Sequence, residues 1–308
     1  MRSIITKTFY TIKPIIPRRV QLFLRRLLSN RKRDQYRNIW PIDERASKKP
    51  LYWQGWPGGK KFAVVLTHDV ELAKGHDRCK DLMRLEEKLG FRSSFNFVPE
   101  RYRVSPELRR ILTEKGFEVG VHGLYHDGKY YNSREIFTLR AEKINNYLRE
   151  WNAVGYRAPS MLHKLDWFHD LRIEYDCSTF DTDPFEPQSE GMMTIFPFLV
   201  KRADGSRGYV ELPYTLPQDH GLFVIMQERS IDVWKRKLDW IANNGGMALV
   251  NVHPDYIQFS GAKKGLEEYP VAYYAELLQY IQSKYKDAYW HALPREVASF
   301  YRSSYGIL

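Results

Sequence analysis

His122 and His126 stand four residues apart in the stretch VHGLYH. At that spacing two imidazoles can reach one cation if the chain turns helically after His122. Carboxylates occur earlier, in Thr67-His68-Asp69-Val70-Glu71. Side chains alternate along an extended strand, so Asp69 and Glu71 face one way and His68 the other. One acid can then bind a metal while the other stays available as a base, and the residues alone leave open which does which. A carboxylate with two histidines makes a facial metal site with open positions for water and substrate. Zn²⁺ is the first expectation for such donors, and Co²⁺, Ni²⁺ or Fe²⁺ would also suit them. Arg157, in Tyr156-Arg157-Ala158-Pro159, is placed to orient a carboxylate. His253, in Val252-His253-Pro254-Asp255, is placed to donate a proton. His68 is expected to pack or to support a ligand, not to bind metal.

These groups need a scaffold that brings distant segments together, and the sequence supplies one. Residues 62–67 (FAVVLT) and 247–252 (MALVNV) are continuous apolar runs, as expected of strands buried on both faces. Further strands are expected at 93–98, 117–121, 154–157, 173–177 and 209–212, with a short one near Tyr289. Helical spacing falls between them, at 76–89, 231–243, 271–284 and from 294 onward. Ser105-Pro106 reads as an N-cap followed by Pro at the first helical position. Asn132 and Glu135 read as a capping box for a helix reaching about residue 150. The segment 181–207 reads as a loop, with Pro184, Pro187 and Pro197. Alternating strands and helices predict a parallel sheet covered by helices, either a distorted (β/α) barrel or an open doubly wound sheet. Both put ligands at the carboxyl ends of the strands, where the four polar motifs fall.

The charge is unevenly distributed. Residues 1–50 hold 14 Lys or Arg against 3 Asp or Glu, which accounts for the whole formal charge of +11. The body, 51–308, is therefore neutral, and a nucleic-acid-binding body is not expected. Within the arm, residues 18–29 place Val20, Phe23, Leu24, Leu27 and Leu28 on one helical face. Arg18, Arg19, Arg25 and Arg26 lie opposite. This pattern suits a helix on an anionic membrane surface, or one docked on the protein's own body. Residues 30–50 read as a linker or an extended wrap. Two cysteines, Cys79 and Cys177, exclude a disulfide framework. With neither a spanning helix nor an uninterrupted signal-peptide core, a cytoplasmic protein, peripheral at the inner membrane surface, is expected.

Taken in order, these motifs resemble the polysaccharide deacetylases with a NodB-type domain, carbohydrate esterase family four, over roughly residues 60–300. The resemblance implies a distorted (β/α) barrel and metal-dependent removal of an N-acetyl group from a sugar, an oligosaccharide or a lipid-linked glycan. It implies Asp69 as general base, His122 and His126 as metal ligands, Arg157 as the residue holding the base and His253 as general acid. The family usually has a second acid directly after the base, as a metal ligand. Val70 stands there, so Glu71 is expected to substitute one residue later. That departure leaves two alternatives: a hydrolase of another C–N bond, with or without metal, and a non-catalytic carbohydrate-binding or membrane-adaptor protein. Tyr125, Tyr130, Tyr131, Phe180, Phe185 and Tyr256 are candidate stacking partners for sugar rings. Asp181 and Asp183 are candidate partners for sugar hydroxyls.

Overall fold

The computed structural model describes residues 17–51, 53–129, 131–206, 208–259 and 265–305. Helix α1 (Arg18–Tyr36) comes first. The body follows with β1 (Phe62–Val70), α2 (Ala73–Lys88), β2 (Ser94–Phe97), α3 (Pro106–Glu114), β3 (Glu118–His122) and α4 (Arg134–Glu150). Next come β4 (Gly155–Arg157), β5 (Tyr175–Asp176), β6 (Phe198–Val200), β7 (Tyr209–Glu211), α5 (Asp232–Asn244) and β8 (Met247–Asn251). The chain ends with β9 (Ile257–Gln258), β10 (Tyr269–Pro270), α6 (Val271–Lys284), β11 (Tyr289–His291) and α7 (Pro294–Tyr305).

All nine residues of β1 are buried, because neighbouring strands and packed helices cover it on every side. It pairs in parallel with β8 along one edge and with β11 and then β2 along the other. From β2 the sheet continues in parallel through β3, β4, β5 and β7, with β6 antiparallel at its end. It curls until the chain after β7 reaches β8. There Thr215 and Leu216 donate backbone N–H groups to Leu249 O at 3.0 and 3.1 Å, and Thr215 Oγ1 donates to Met247 O at 2.7 Å. The result is a distorted barrel. Inward residues of β1, Ala63 and Val65, pack with Met247, Leu249 and Val210 and are plugged by Val297 and Ala298 of α7. Outward residues Val64 and Leu66 join the larger core under the helices. The same alternation sends Asp69 inward at the other end of β1.

Several expectations need correction. Residues 181–207 contain β6, which pairs with β7. The cap of α4 is Ser133, whose Oγ accepts from Ile136 N at 3.3 Å, and not Asn132. Residues 30–36 continue the helix instead of forming a linker or a wrap, and beyond Tyr36 the segment packs on the body, in keeping with the wrap alternative, with Trp40 and Ala46 buried in the core.

Helix α1 docks on the body by its polar face. Leu22 packs on Val224 and Ile225, Arg26 donates to Val224 O, Arg33 pairs with Glu228, and Arg18 pairs with Glu267. Most of the apolar stripe points away: Val20, Phe23, Leu24 and Leu27 are 37–64% exposed, while Leu28, 62% exposed, also borders a cavity of the body. Among the described residues no helix is long and apolar enough to cross a membrane. Cys79 and Cys177 are both buried and unbridged.

Candidate active site

The inward register of β1 puts Asp69 at the mouth of the barrel, only 2% exposed. Parallel pairing sets Asn96 of β2 directly beside it, and Asn96 Nδ2 donates to Asp69 Oδ1 at 3.2 Å. Asn251, at the end of β8, donates to Asp69 Oδ2 at 2.8 Å. Arg157, ending β4, stands with Nη1 3.6 Å from Asp69 Oδ1, an ion pair longer than a hydrogen bond. Burial alone would raise the Asp69 pKa, but Arg157, the two histidines facing it and Asn96 hold it down to about 2. The group is a carboxylate at any working pH.

Glu71 lies just past β1. The Asp255 carboxylate fixes its backbone by accepting from Glu71 N at 2.9 Å, Leu72 N at 2.9 Å and Gly75 N at 3.2 Å. Leu72 N and Gly75 N are orphan donors at the start of α2. Position 75 must be glycine for this approach, since a Cβ there would sit 2.3 Å from Asp255 Oδ2. The Glu71 carboxylate accepts from Tyr256 OH at 2.9 Å through Oε2 and lies 2.9 Å from His126 Nε2 through Oε1. Burial opposes its ionisation, yet His126 holds it well below the usual carboxylate range.

The segment after His122 does not turn helically, as the spacing had suggested. It bends through left-handed positions, φ 62° at Gly123 and φ 56° at His126, with Pro159 so near that a Cβ on Gly123 would lie 2.4 Å from its Cγ. The bend brings the two histidines together, their ring centres 5.1 Å apart. His122 Nδ1 lies 3.1 Å from Arg157 O. A carbonyl only accepts, so the proton sits on Nδ1 and the lone pair on Nε2. Burial pushes the His122 pKa down to about 4, so the ring is neutral. Its Nε2 is buried without a hydrogen-bond partner, and so is His126 Nε2, which is out of alignment with Glu71. Donor atoms of Glu71, His122 and His126 all lie within 4.8 Å of one another. A carboxylate and two imidazoles whose Nε2 atoms are buried without a hydrogen-bond partner fit a divalent cation of the Zn²⁺ type.

His253 follows β8 and faces Asp69 across the mouth, with Nε2 4.0 Å from Asp69 Oδ2. Its Nδ1 is 2.6 Å from Asp219 Oδ1, and Asp219 Oδ2 accepts from His253 N at 2.8 Å and Tyr269 OH at 2.9 Å. Burial would lower the His253 pKa, but Asp219 outweighs it, and the value is raised to about 10. Asp69, Glu71, His122, His126 and His253 share a cavity of about 840 Å³, within the size range of small-ligand pockets.

Other candidates fall elsewhere. His68 points outward and is bound by Glu86 Oε1 (2.8 Å) and Val252 O (3.0 Å) in a buried network. Phe185 and Tyr256 line the cavity, joined by Trp40, whose ring meets Phe185 edge-on at 5.1 Å. Tyr125 turns to Lys143, Tyr131 packs on Phe137, and Phe180 is buried against Tyr214. Tyr130 lies outside the described residues. Asp181 forms a buried ion pair with Lys237, whereas Asp183 lines the cavity and accepts from Tyr214 OH at 3.0 Å. The sequence reading missed Asn96 and Asn251, which were detectable as polar residues inside apolar strands. Asp219, in the loop 216–219, reads from the sequence as a strand-end candidate without a role, because it sits in an irregular stretch before a π-helical turn (His220–Ile225).

No family model and no curated protein matches the chain. Solved structures do. A protein assigned as a polysaccharide deacetylase from Mycobacterium smegmatis superposes with a TM-score of 0.60 at 20% identity, over 83% of this chain and 95% of that one. Another so assigned, from Pseudomonas aeruginosa PAO1, gives 0.59 at 15% identity, over 81% and 94%. The fold is that of the polysaccharide deacetylases. It is shared with the PuuE allantoinase, which gives 0.61 at 14% identity, over 81% and 93%. At such identities the polysaccharide-deacetylase fold is what the likeness establishes, and the activity must be argued from the site.

Proposed function

We propose that the chain is a metal-dependent hydrolase that removes the N-acetyl group from a sugar, an oligosaccharide or a lipid-linked glycan. One observation carries this reading: Asp69 and His253 face each other at 4.0 Å beside the Glu71, His122 and His126 cluster. Glu71, His122 and His126 would hold a divalent cation, which supplies Lewis acidity toward a water and an acetyl carbonyl. Asp69, anionic and anchored by Asn96 and Asn251, accepts the proton of the attacking water. Arg157 fixes the Asp69 carboxylate. His253, cationic through Asp219, donates from Nε2 to the departing nitrogen, which leaves as a neutral amine. Acetate and a free amino sugar are the products.

A second reading keeps the fold and changes the bond, since one neighbour of equal similarity is an allantoinase. Acetate release decides between them. Purified full-length protein, supplied with Zn²⁺ or Co²⁺, should release acetate from N-acetylated chitooligosaccharides, lose that activity on complete chelation and regain it on adding metal back. Failure with every divalent ion, or activity surviving chelation, would sink the proposal.

The location of α1 belongs to the same reading. Val20, Phe23, Leu24 and Leu27 form an outward apolar stripe, and exposed Arg19, Arg31 and Arg37 accompany it. An apolar stripe with cations beside it complements an anionic membrane surface. This placement would bring the cavity, which α1 borders, close to a lipid-linked substrate.

A further inference from the structure

His68 does not line the cavity, yet it holds the peptide that carries His253. Alternation along β1 turns it outward, opposite Asp69, and buries it completely. Its ring lies beside Phe95 and Tyr274, with ring centres 4.8 and 5.8 Å away.

Both ring nitrogens are engaged. Nδ1 is 3.0 Å from Val252 O, and Nε2 is 2.8 Å from Glu86 Oε1. A carbonyl only accepts, so Nδ1 carries a proton and donates it. Glu86, on α2, is itself held from two other elements. It accepts from Tyr274 OH of α6 through Oε1, and from Ser93 Oγ, just before β2, through Oε2 at 2.6 Å. Three segments thus fix the direction of one imidazole.

The ladder of β8 on β1 ends at the pair Thr67 and Asn251. Val252 N still donates to Thr67 O at 3.0 Å, but the Val252 carbonyl lies past the ladder. A buried carbonyl needs a donor, and the His68 side chain supplies it. The same peptide ends in His253 N, which donates to Asp219 Oδ2 at 2.8 Å. One peptide plane is therefore held at both edges, by His68 on its oxygen and by Asp219 on its nitrogen. The tilt of that plane sets where the His253 ring points, with Nδ1 2.6 Å from Asp219 Oδ1 and Nε2 4.0 Å from Asp69 Oδ2.

We propose that His68 is a positioning residue for the general acid: its Nδ1–H locks the Val252–His253 peptide and so keeps the His253 ring on Asp219 and facing Asp69. The acid's role for His253 rests on the deacetylase reading above.

Two amide substitutions separate the contacts of His68. The asparagine nitrogen sits as many bonds from Cβ as Nδ1 does, and the glutamine nitrogen as many as Nε2. H68N therefore keeps the donor to Val252 O and gives up Glu86, and H68Q does the reverse. Full-length protein supplied with Zn²⁺ is assayed for acetate release from N-acetylated chitooligosaccharides across pH. In H68Q kcat should fall on the order of 10²-fold with KM little changed, the loss that a displacement of about 1 Å brings. Its alkaline limb should move from about 10 toward about 6.5, because Asp219 is what raises His253 against burial. Asp69, Glu71, Asp255, Glu186 and His220 also act on the His253 charge, and all stay in place in these variants. H68N should restore both kcat and the limb, although loss of the Glu86 contact lowers its thermal midpoint. A merely structural histidine would shift the midpoint of both variants and the limb of neither. A limb unmoved in H68Q, or moved equally in H68N, would overturn the proposal. If H68N does not fold, H68Q alone decides by its limb.

The same displacement can be read without turnover. The His253 ring resonances of protein carrying isotopically labelled histidine, assigned by their loss in H253Q, should titrate lower in H68Q than in the parent. That shift without acetate from any substrate would sink the deacetylase reading and leave the clamp standing. Acetate release with an unmoved His253 midpoint would do the reverse.

Discussion

Asp219 holds His253 at two points, its Oδ1 2.6 Å from the imidazole Nδ1 and its Oδ2 accepting from the backbone N at 2.8 Å. The contact fixes the ring and keeps it charged. A histidine raised to about 10 stays protonated below that pH and loses its proton above it. As general acid it is competent on the acid side, so kcat/KM should hold up through neutrality and fall only as pH approaches about 10. In Asp219→Asn the alkaline limb should move down toward the ordinary histidine range near 6.5, by more than one pH unit. A pH–rate profile with an unmoved alkaline limb would remove His253 from the acid's role.

Much of this arrangement was legible in the sequence, and the gaps have physical causes. Strand positions followed from apolar runs such as residues 62–67, because a strand covered on both faces tolerates little else. Asp69 and His68 could be assigned to opposite faces from period two alone, and the structure places them so. The meeting of Glu71 with His126 depends on left-handed φ at Gly123 and His126, which spacing does not encode. Asp219 reaches His253 across 34 residues through an irregular turn, so its position at a strand end could be noted but no role assigned. The arm was legible in part, since docking on the body was one of its two readings. Its periodicity correctly separated two faces, but periodicity does not say which face docks. Ion pairs and backbone acceptors on the body, Glu267, Glu228 and Val224 among them, chose the polar one.

The proposed division of labour between Asp69 and Glu71 follows from their different surroundings. Asp69 is already bound by Asn96, Asn251 and Arg157, whereas Glu71 shares the donor cluster with His122 and His126. Asp69→Asn should therefore keep stoichiometric metal while kcat falls on the order of 10²- to 10⁴-fold, the usual worth of a general base. Glu71→Gln should lose metal affinity on the order of 100-fold, since even residues that only support a ligand cost 10- to 100-fold. Metal content by elemental analysis, beside acetate release, checks both. Loss of metal in Asp69→Asn with retention in Glu71→Gln would reverse the assignment.

Gly75 bears on the site from a distance. Its missing Cβ lets Asp255 sit on the start of α2 and pin the backbone that carries Glu71. Gly75→Ala should force Asp255 away at a cost of about 1–3 kcal/mol. It should also weaken metal binding by about tenfold, as the support of Glu71 loosens. Thermal melts and metal titration measure the two effects. Destabilisation with unchanged metal affinity would show that Asp255 serves only the helix.

The outward stripe of α1 makes the membrane reading testable without touching the cavity. Phe23 and Leu27 are 64% and 41% exposed and belong to none of the buried core clusters. Burying such a side chain is worth about 1.5–3 kcal/mol, so Phe23→Ser with Leu27→Ser should lower partitioning into phosphatidylglycerol-containing vesicles on the order of 10²- to 10⁴-fold. Replacing Arg19 and Arg31 by Gln should weaken binding further, by about 1 kcal/mol per charge, and only in anionic vesicles at low salt. Because the docked face is untouched, the thermal midpoint of each variant should stay near that of the parent. Co-sedimentation with vesicles gives the readout. Wild-type protein that stays in the supernatant with anionic vesicles at low salt would show that the stripe faces something other than lipid.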